Sequence, residues 1–202
     1  ATINNNGIIR IGNIGNIYRF GVFLASAAIF NNNNNASLTI DNIISTTINE
    51  GIALRIQNNN STVNNSGNIT IGNIGPVSRF GIVMSSISQL NNSSTGLINI
   101  NRITINSGIS VQVTAKITNA GIVNVGNTQS VNEVGILLVG GEFVNNMGGN
   151  VSVNRTLVLD GISVNGTGAK FTNNATVNIG NTDPIQRLGI SIFSNGEFLN
   201  NV

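Results

Sequence analysis

Apolar residues alternate with polar ones in short bursts along this chain, and each burst ends in glycine or asparagine. Triplets with apolar first and third residues recur as IRIGN at Ile9, LTIDN at Leu38, ITIGN at Ile69, ININ at Ile98, VNVGN at Val123, VSVN at Val151 and VNIGN at Val177. A period of two puts the apolar side chains on one face, so each triplet predicts a short, half-buried strand. A second signal, an apolar residue followed two places later by Asn, runs Ile3/Asn5, Phe30/Asn32, Val63/Asn65, Leu90/Asn92, Ile117/Asn119, Phe143/Asn145, Phe171/Asn173 and Phe198/Asn200. The third is a glycine leading into an apolar run: GVFL at Gly21, GIAL at Gly51, GIVM at Gly81, GISV at Gly108, GILL at Gly135, GISV at Gly161 and GISI at Gly189. Helical periodicity is absent throughout.

The three signals keep one order and stay in step, with successive glycine landmarks 26 to 30 residues apart. A fixed period in this range marks a solenoid. Three short strands per repeat predict an all-β parallel β-helix of about seven coils, each strand pairing with its equivalent one coil on. The chain then reads as a single solenoid over residues 1–202. A longer beat of two repeats is also present, because IGNIGNIYRFG, IGNIGPVSRFG, VGNTQSVNEVG and IGNTDPIQRLG open at Ile11, Ile71, Val125 and Ile179, with shorter turns between them at Asn101 and Asn154.

Stacking like on like makes columns. Val22, Ile52, Ile82, Ile109, Ile136, Ile162 and Ile190 are expected to form one inward column, with Leu24, Leu54, Met84, Val111, Leu138, Val164 and Ile192 two residues on. Asn5, Asn32, Asn65, Asn92, Asn119, Asn145, Asn173 and Asn200 are expected to form a structural amide ladder at a turn, each side chain about 4.8 Å from the next. Lys116, Glu142, Lys170 and Glu197 stand in four successive coils just before the apolar landmark, which predicts a charge ladder of alternating sign. Arg19, Glu50, Arg79, Glu133, Asp160 and Arg187, near the glycine landmark, predict a looser one at another corner. Phe23, Val83 and Leu137 occupy outward positions in alternate coils, with Ala53, Ser110 and Ser163 between them. That stripe is expected to pack on a loop of the chain or on a neighbouring solenoid.

Composition narrows the chemistry. The chain has 202 residues, 8% charged and 4% aromatic, with no Cys, His or Trp. Thiol catalysis, disulfides, Cys or His metal sites and His acid–base chemistry are excluded for these residues. Nine basic residues against seven acidic ones leave +2, which is no footprint for nucleic acid. The 40 asparagines favour turns over helix, while 40% hydrophobic residues argue against disorder. No apolar stretch is long enough for a membrane-spanning helix, and no catalytic, cofactor or metal constellation is expected. Asp41, Asp160 and Asp183 fall at different phases of their coils, so no paired carboxylates promise glycoside hydrolysis.

The pattern in GISVNGTGAKFTNNATVNIGN resembles the right-handed parallel β-helices of large bacterial surface adhesins, such as filamentous-haemagglutinin-type and autotransporter passenger domains. The resemblance covers the whole chain through an architectural motif. It implies a right-handed coil and a structural, extracellular, non-enzymatic role in a bacterial surface fibre, stalk or adhesin. ATINNNG enters the repeat in mid-coil and EFLNNV leaves it at nearly the same phase, with Phe198 equivalent to Ile3, so continuation in a longer solenoid or head-to-tail self-association is expected. A glycan or cell-surface ligand would meet Asn-rich loops such as Asn31 to Asn35 and Asn58 to Asn65. A carbohydrate-binding or polysaccharide-active β-helix is one alternative. An ice-binding solenoid is the other, although its outward column of Arg10, Thr39, Thr70, Asn99, Asn124, Ser152 and Asn178 is chemically mixed.

Overall fold

Alternation decides which side of each strand is buried, and stacking decides what it is buried against. A computed structural model describes residues 1–202 except residues 46 and 48. Its strands lie in three parallel sheets, with each strand bonded to its equivalents in the neighbouring coils. Sheet A has eight strands: Thr2–Asn5, Ile29–Asn32, Thr62–Asn65, Gln89–Asn92, Lys116–Asn119, Glu142–Asn145, Lys170–Asn173 and Glu197–Asn200. The seven strands of sheet B run from Ile8–Ile11 to Thr176–Ile179, and the seven of sheet C from Phe20–Leu24 to Ile190–Phe193. The chain is an all-β solenoid of about seven coils with three strands per coil, as the periodicity predicts.

The inward residues of all three sheets meet in one continuous core. Phe30, Leu38, Val63, Ile69, Leu90, Ile117, Val123, Phe143, Val151 and Phe171 are among its members, all at most 2% exposed. Burial of each such side chain contributes roughly 1.5–3 kcal/mol before ordering entropy is subtracted. Asparagine has a separate task at the corners. Asn35, Asn42, Asn49, Asn58, Asn60 and Asn195 adopt positive φ, a conformation that Asn tolerates better than other residues with a side chain.

A fourth stack lies in the long arc between sheets B and C. Single parallel bridges link Ile17, Ile43, Val77, Ile103, Val131, Thr156 and Ile185 in succession. A one-residue bridge has no alternation, so sequence periodicity does not reveal it. A side chain of the preceding coil braces the arc beside it. Asp41 Oδ1 accepts from the Ile74 and Gly75 amides at 3.0 and 3.3 Å, and Asn101 Oδ1 accepts from the Thr128 amide at 3.0 Å. Asp41 and Asn101 thus each hold the arc of the coil that follows.

Sheet C corrects one expectation. Val22 pairs with Leu54, Phe23 with Arg55 and Leu24 with Ile56, and these continue to Ile82, Val83 and Met84. Ile52 sits opposite Phe20 and Phe80, and therefore stands outside the column expected with Val22 and Ile82. The second coil is displaced by two residues relative to its glycine landmark. Gly51 lies before the strand at φ 71°, in the left-handed region, and its carbonyl accepts from the Arg79 and Phe80 amides. A slip of two preserves which residues face inward, so hydrophobic patterning alone cannot detect it.

Candidate functional site

The most regular polar array is the inner edge of sheet A. Asn5 donates through Nδ2 to Asn32 Oδ1 at 2.8 Å, Asn32 to Asn65 at 2.8 Å, Asn65 to Asn92 at 2.8 Å and Asn92 to Asn119 at 2.7 Å. Asn119 donates to Asn145, Asn145 to Asn173 and Asn173 to Asn200, each at 2.8 Å. The ladder predicted from sequence is therefore continuous through eight strands, and every amide donates toward the C-terminal end. The second Nδ2 hydrogen turns to a backbone carbonyl, as in Asn5 to Ser37 at 3.0 Å and Asn145 to Thr176 at 3.0 Å. Seven of the rungs are at most 5% exposed, so these partners satisfy groups that would be costly to bury alone. Glycine makes the turn over the ladder possible. A Cβ on Gly96 would lie 2.2 Å from Asn92 Oδ1, and one on Gly149 would lie 2.3 Å from Asn145 Oδ1.

A second ladder, absent from the sequence expectations, lines the outer face of the same sheet. Asn31 donates to Asn4 at 2.7 Å, Asn64 to Asn31 and Asn91 to Asn64 at 2.9 Å, and Thr118 to Asn91 at 2.8 Å. Its polarity is opposite, toward the N-terminal end. The signal for it was the NN doublet at these positions, whose first member points outward when the second points in. Consequently much of the Asn-rich stretches expected to be contact loops is strand. Asn31, Asn32, Asn64 and Asn65 belong to sheet A. Asn33 to Asn35 and Asn58 to Asn60 remain at corners. The outer Asn64 and Asn91 line a shallow polar groove that also takes in Ser66, Ser93 and Thr118.

The charge column stacks in register, Lys116 on Glu142, Glu142 on Lys170 and Lys170 on Glu197. Two contacts close, Lys116 Nζ to Glu142 Oε2 at 2.9 Å and Lys170 Nζ to Glu197 Oε2 at 3.5 Å. Pairs this exposed contribute on the order of 0–1 kcal/mol each, so they select register more than they stabilise. Beneath them Phe143, Phe171 and Phe198 stack with ring centroids 4.9 and 5.0 Å apart.

The looser charge set divides into pairs. Arg19 Nε meets Glu50 Oε1 at 2.8 Å, and Arg187 binds Asp160 through two nitrogens at 2.8 and 2.7 Å. Asp160 is buried and also accepts from Ser191 Oγ at 2.6 Å. The Arg187 hydrogen bonds hold its carboxyl below the ordinary carboxylate range against the opposing effect of burial. Arg79 and Glu133 form no ion pair among the described residues. Asp183 pairs instead with Arg155. No group of three or more acidic side chains that could hold a metal occurs among the described residues.

The outward stripe of sheet C also differs from expectation. The residue between Phe23 and Val83 is Arg55, and Ala53 is buried. Phe23 is 49% exposed, whereas Val83 is buried and Leu137 half-buried, so the three do not make a continuous apolar surface. Around Phe23 the structure gathers Arg19, Phe20, Arg55 and Gln57 about a recess of ≈ 300 Å³. The outward file of sheet B holds Arg10, Thr39, Thr70, Asn99, Asn124, Ser152 and Asn178 in one register.

No protein-family model, no curated protein and no solved structure matches the chain.

Proposed function

We propose that the chain is a rigid, non-catalytic, extracellular β-solenoid, a segment of a bacterial surface fibre, stalk or adhesin. The observation that carries this reading is the inner Asn ladder, unbroken through eight strands with a single donor polarity. Such a ladder, with the parallel sheets beside it, couples each coil to the next along the axis. Extending the rod requires only another coil of the same kind. Seven coils at about 4.8 Å give a shaft of roughly 34 Å, so reach comes from repetition.

The polarity of the ladders favours continuation. Asn200 at one end presents Nδ2 in the position from which each inner rung donates onward, and Asn5 at the other end presents the accepting Oδ1. The file on the turn runs the other way, Asn33 donating to Asn6 and Asn201 to Asn174. A further coil, from the same polypeptide or a second copy, would therefore meet complementary groups in both files. Ile3 at one end and Ile190 and Ile192 at the other are exposed core positions that such a coil would cover.

Electron microscopy of the purified protein at rising concentration tests the proposal. The expected result is rods that lengthen end to end, with no loss of polysaccharide viscosity on incubation. Single particles of constant length at every concentration would overturn the self-stacking part, and cleavage of a polysaccharide would overturn the non-catalytic part.

A further inference from the structure

The two-residue slip in sheet C has a chemical consequence at the first two coils. With landmark glycines aligned, Ala53 would stand beside Phe23. The actual register puts Arg55 there. Phe20 and Phe23 stack at 5.3 Å between ring centroids, and the guanidinium carbons of Arg19 and Arg55 each lie 5.3 Å from the Phe20 centroid. Arg55 is oriented further by Nε donating to Gln57 Oε1 at 2.8 Å and Nη1 donating to the Asn49 carbonyl at 2.9 Å. Cation–π attraction and these hydrogen bonds hold two planar cationic forks beside an aromatic face that is still half open to water.

We propose that Arg19, Phe20, Phe23, Arg55 and Gln57 form a binding site for a carboxylate-bearing sugar, one unit of an acidic polysaccharide. Each part of such a unit has a counterpart. The carboxylate suits the two guanidinium cations, whose N–H groups not already engaged can donate to a planar oxyanion. The apolar C–H face of a pyranose suits the Phe23 ring, and a hydroxyl suits the Gln57 amide. A recess of ≈ 300 Å³ sits at the small end of ligand sites and matches one sugar unit of a longer chain lying across the surface.

Charge balance agrees with this assignment. Two arginines face one carboxylate, Glu50, which pairs with Arg19. Burial, and secondarily the Arg19 charge, depress the Arg55 pKa, and an incoming anion would offset both effects. No other coil repeats the arrangement among the described residues. The positions equivalent to Phe23 beyond Arg55 are Val83, Ser110, Leu137, Ser163 and Ser191, and Arg187 at the equivalent corner is engaged by Asp160. The site goes beyond the shaft reading and stands independently of it.

The experiment is calorimetric titration with an oligogalacturonate tetramer, beside a neutral galactose tetramer and a sulfated tetramer of the same length. Saturable binding of the galacturonate tetramer is expected, weakened by at least about tenfold in Phe23→Ser and in Arg55→Met. Binding should tighten modestly in Glu50→Gln. Phe23 is half exposed, so Phe23→Ser should keep the wild-type thermal unfolding midpoint and serves as the variant that separates ligand loss from fold loss. No saturable binding, equal binding of the neutral tetramer, preference for the sulfated one, or unchanged affinity in both Phe23→Ser and Arg55→Met would overturn the proposal. None of these outcomes bears on end-to-end assembly, so the two readings fail separately.

Discussion

The two halves of sheet A share one inner ladder but solve their outer surface differently. From Asn4 to Asn91 the outer residues are amides bonded in a file, and the core position beneath them is aliphatic or Phe30. From Lys116 to Glu197 the neighbouring outer file, two residues earlier on each strand, is charge on charge, with phenylalanines stacked beneath from Phe143 to Phe198. The strand Lys116–Asn119 belongs to both regimes, with Thr118 closing the amide file and Lys116 opening the charged one. The difference separates what holds the solenoid together from what only keeps it in register. Buried groups are common to both halves, while either neutral amides or alternating charges suffice outside.

If that division is right, disturbing the shared interior should outweigh any change outside. Phe171→Ala removes the middle ring of the stack and should cost about 4 kcal/mol of unfolding free energy, read by chemical denaturation. Asn119→Ala breaks the inner ladder at a fully buried rung, leaving the Asn92 donor and the Asn145 acceptor unmatched. We expect about 3 kcal/mol in the same measurement. A loss as small as that of an outer amide would mean the inner ladder is ornamental.

Acid should act on the buried carboxylate of Asp160. Asp160 titrates lower in the folded chain than in the unfolded one, so its contribution is complete above the ordinary value of 3.8 and disappears as pH falls through the folded-state value. The denaturation midpoint of the native chain should fall with pH in that window, and Asp160→Asn should flatten this limb while lowering stability at neutral pH. A slope unchanged by the substitution would assign acid sensitivity elsewhere.

Outside the core the effects shrink. Glu142→Lys stacks three positive charges and should cost about 1 kcal/mol, most of it recovered near ~1 M salt because exposed charges are screened. Asn64→Ala, in the neutral half, should cost about 0.5 kcal/mol and show no salt dependence. Equal salt responses in the two variants would erase the distinction between the halves.

Much of this was legible from residues alone. The Asn column, the order of the three strand signals and the stacking of Lys116 on Glu142 follow from a period that repeats like residues at like positions. The outer amide file was legible in principle, because an NN doublet on a strand must send one side chain each way. By contrast, the Ile17 to Ile185 stack left no alternating signal, since single bridges in an arc impose none. The Asn31 to Asn35 and Asn58 to Asn65 stretches read as loops from composition, yet the ladders draw their strand portions into sheet A.

Periodicity by itself determined the architecture, because a side-chain period of two within strands and a coil-length repeat between them leave one economical way to bury the apolar residues. Only the tertiary structure decided which residue faces which in sheet C. A slip of two keeps Ile52, Leu54 and Ile56 all inward, so the core is indifferent to it, and the choice fell to the turn at Gly51 and to the strands on either side. That choice put Arg55 beside Phe23.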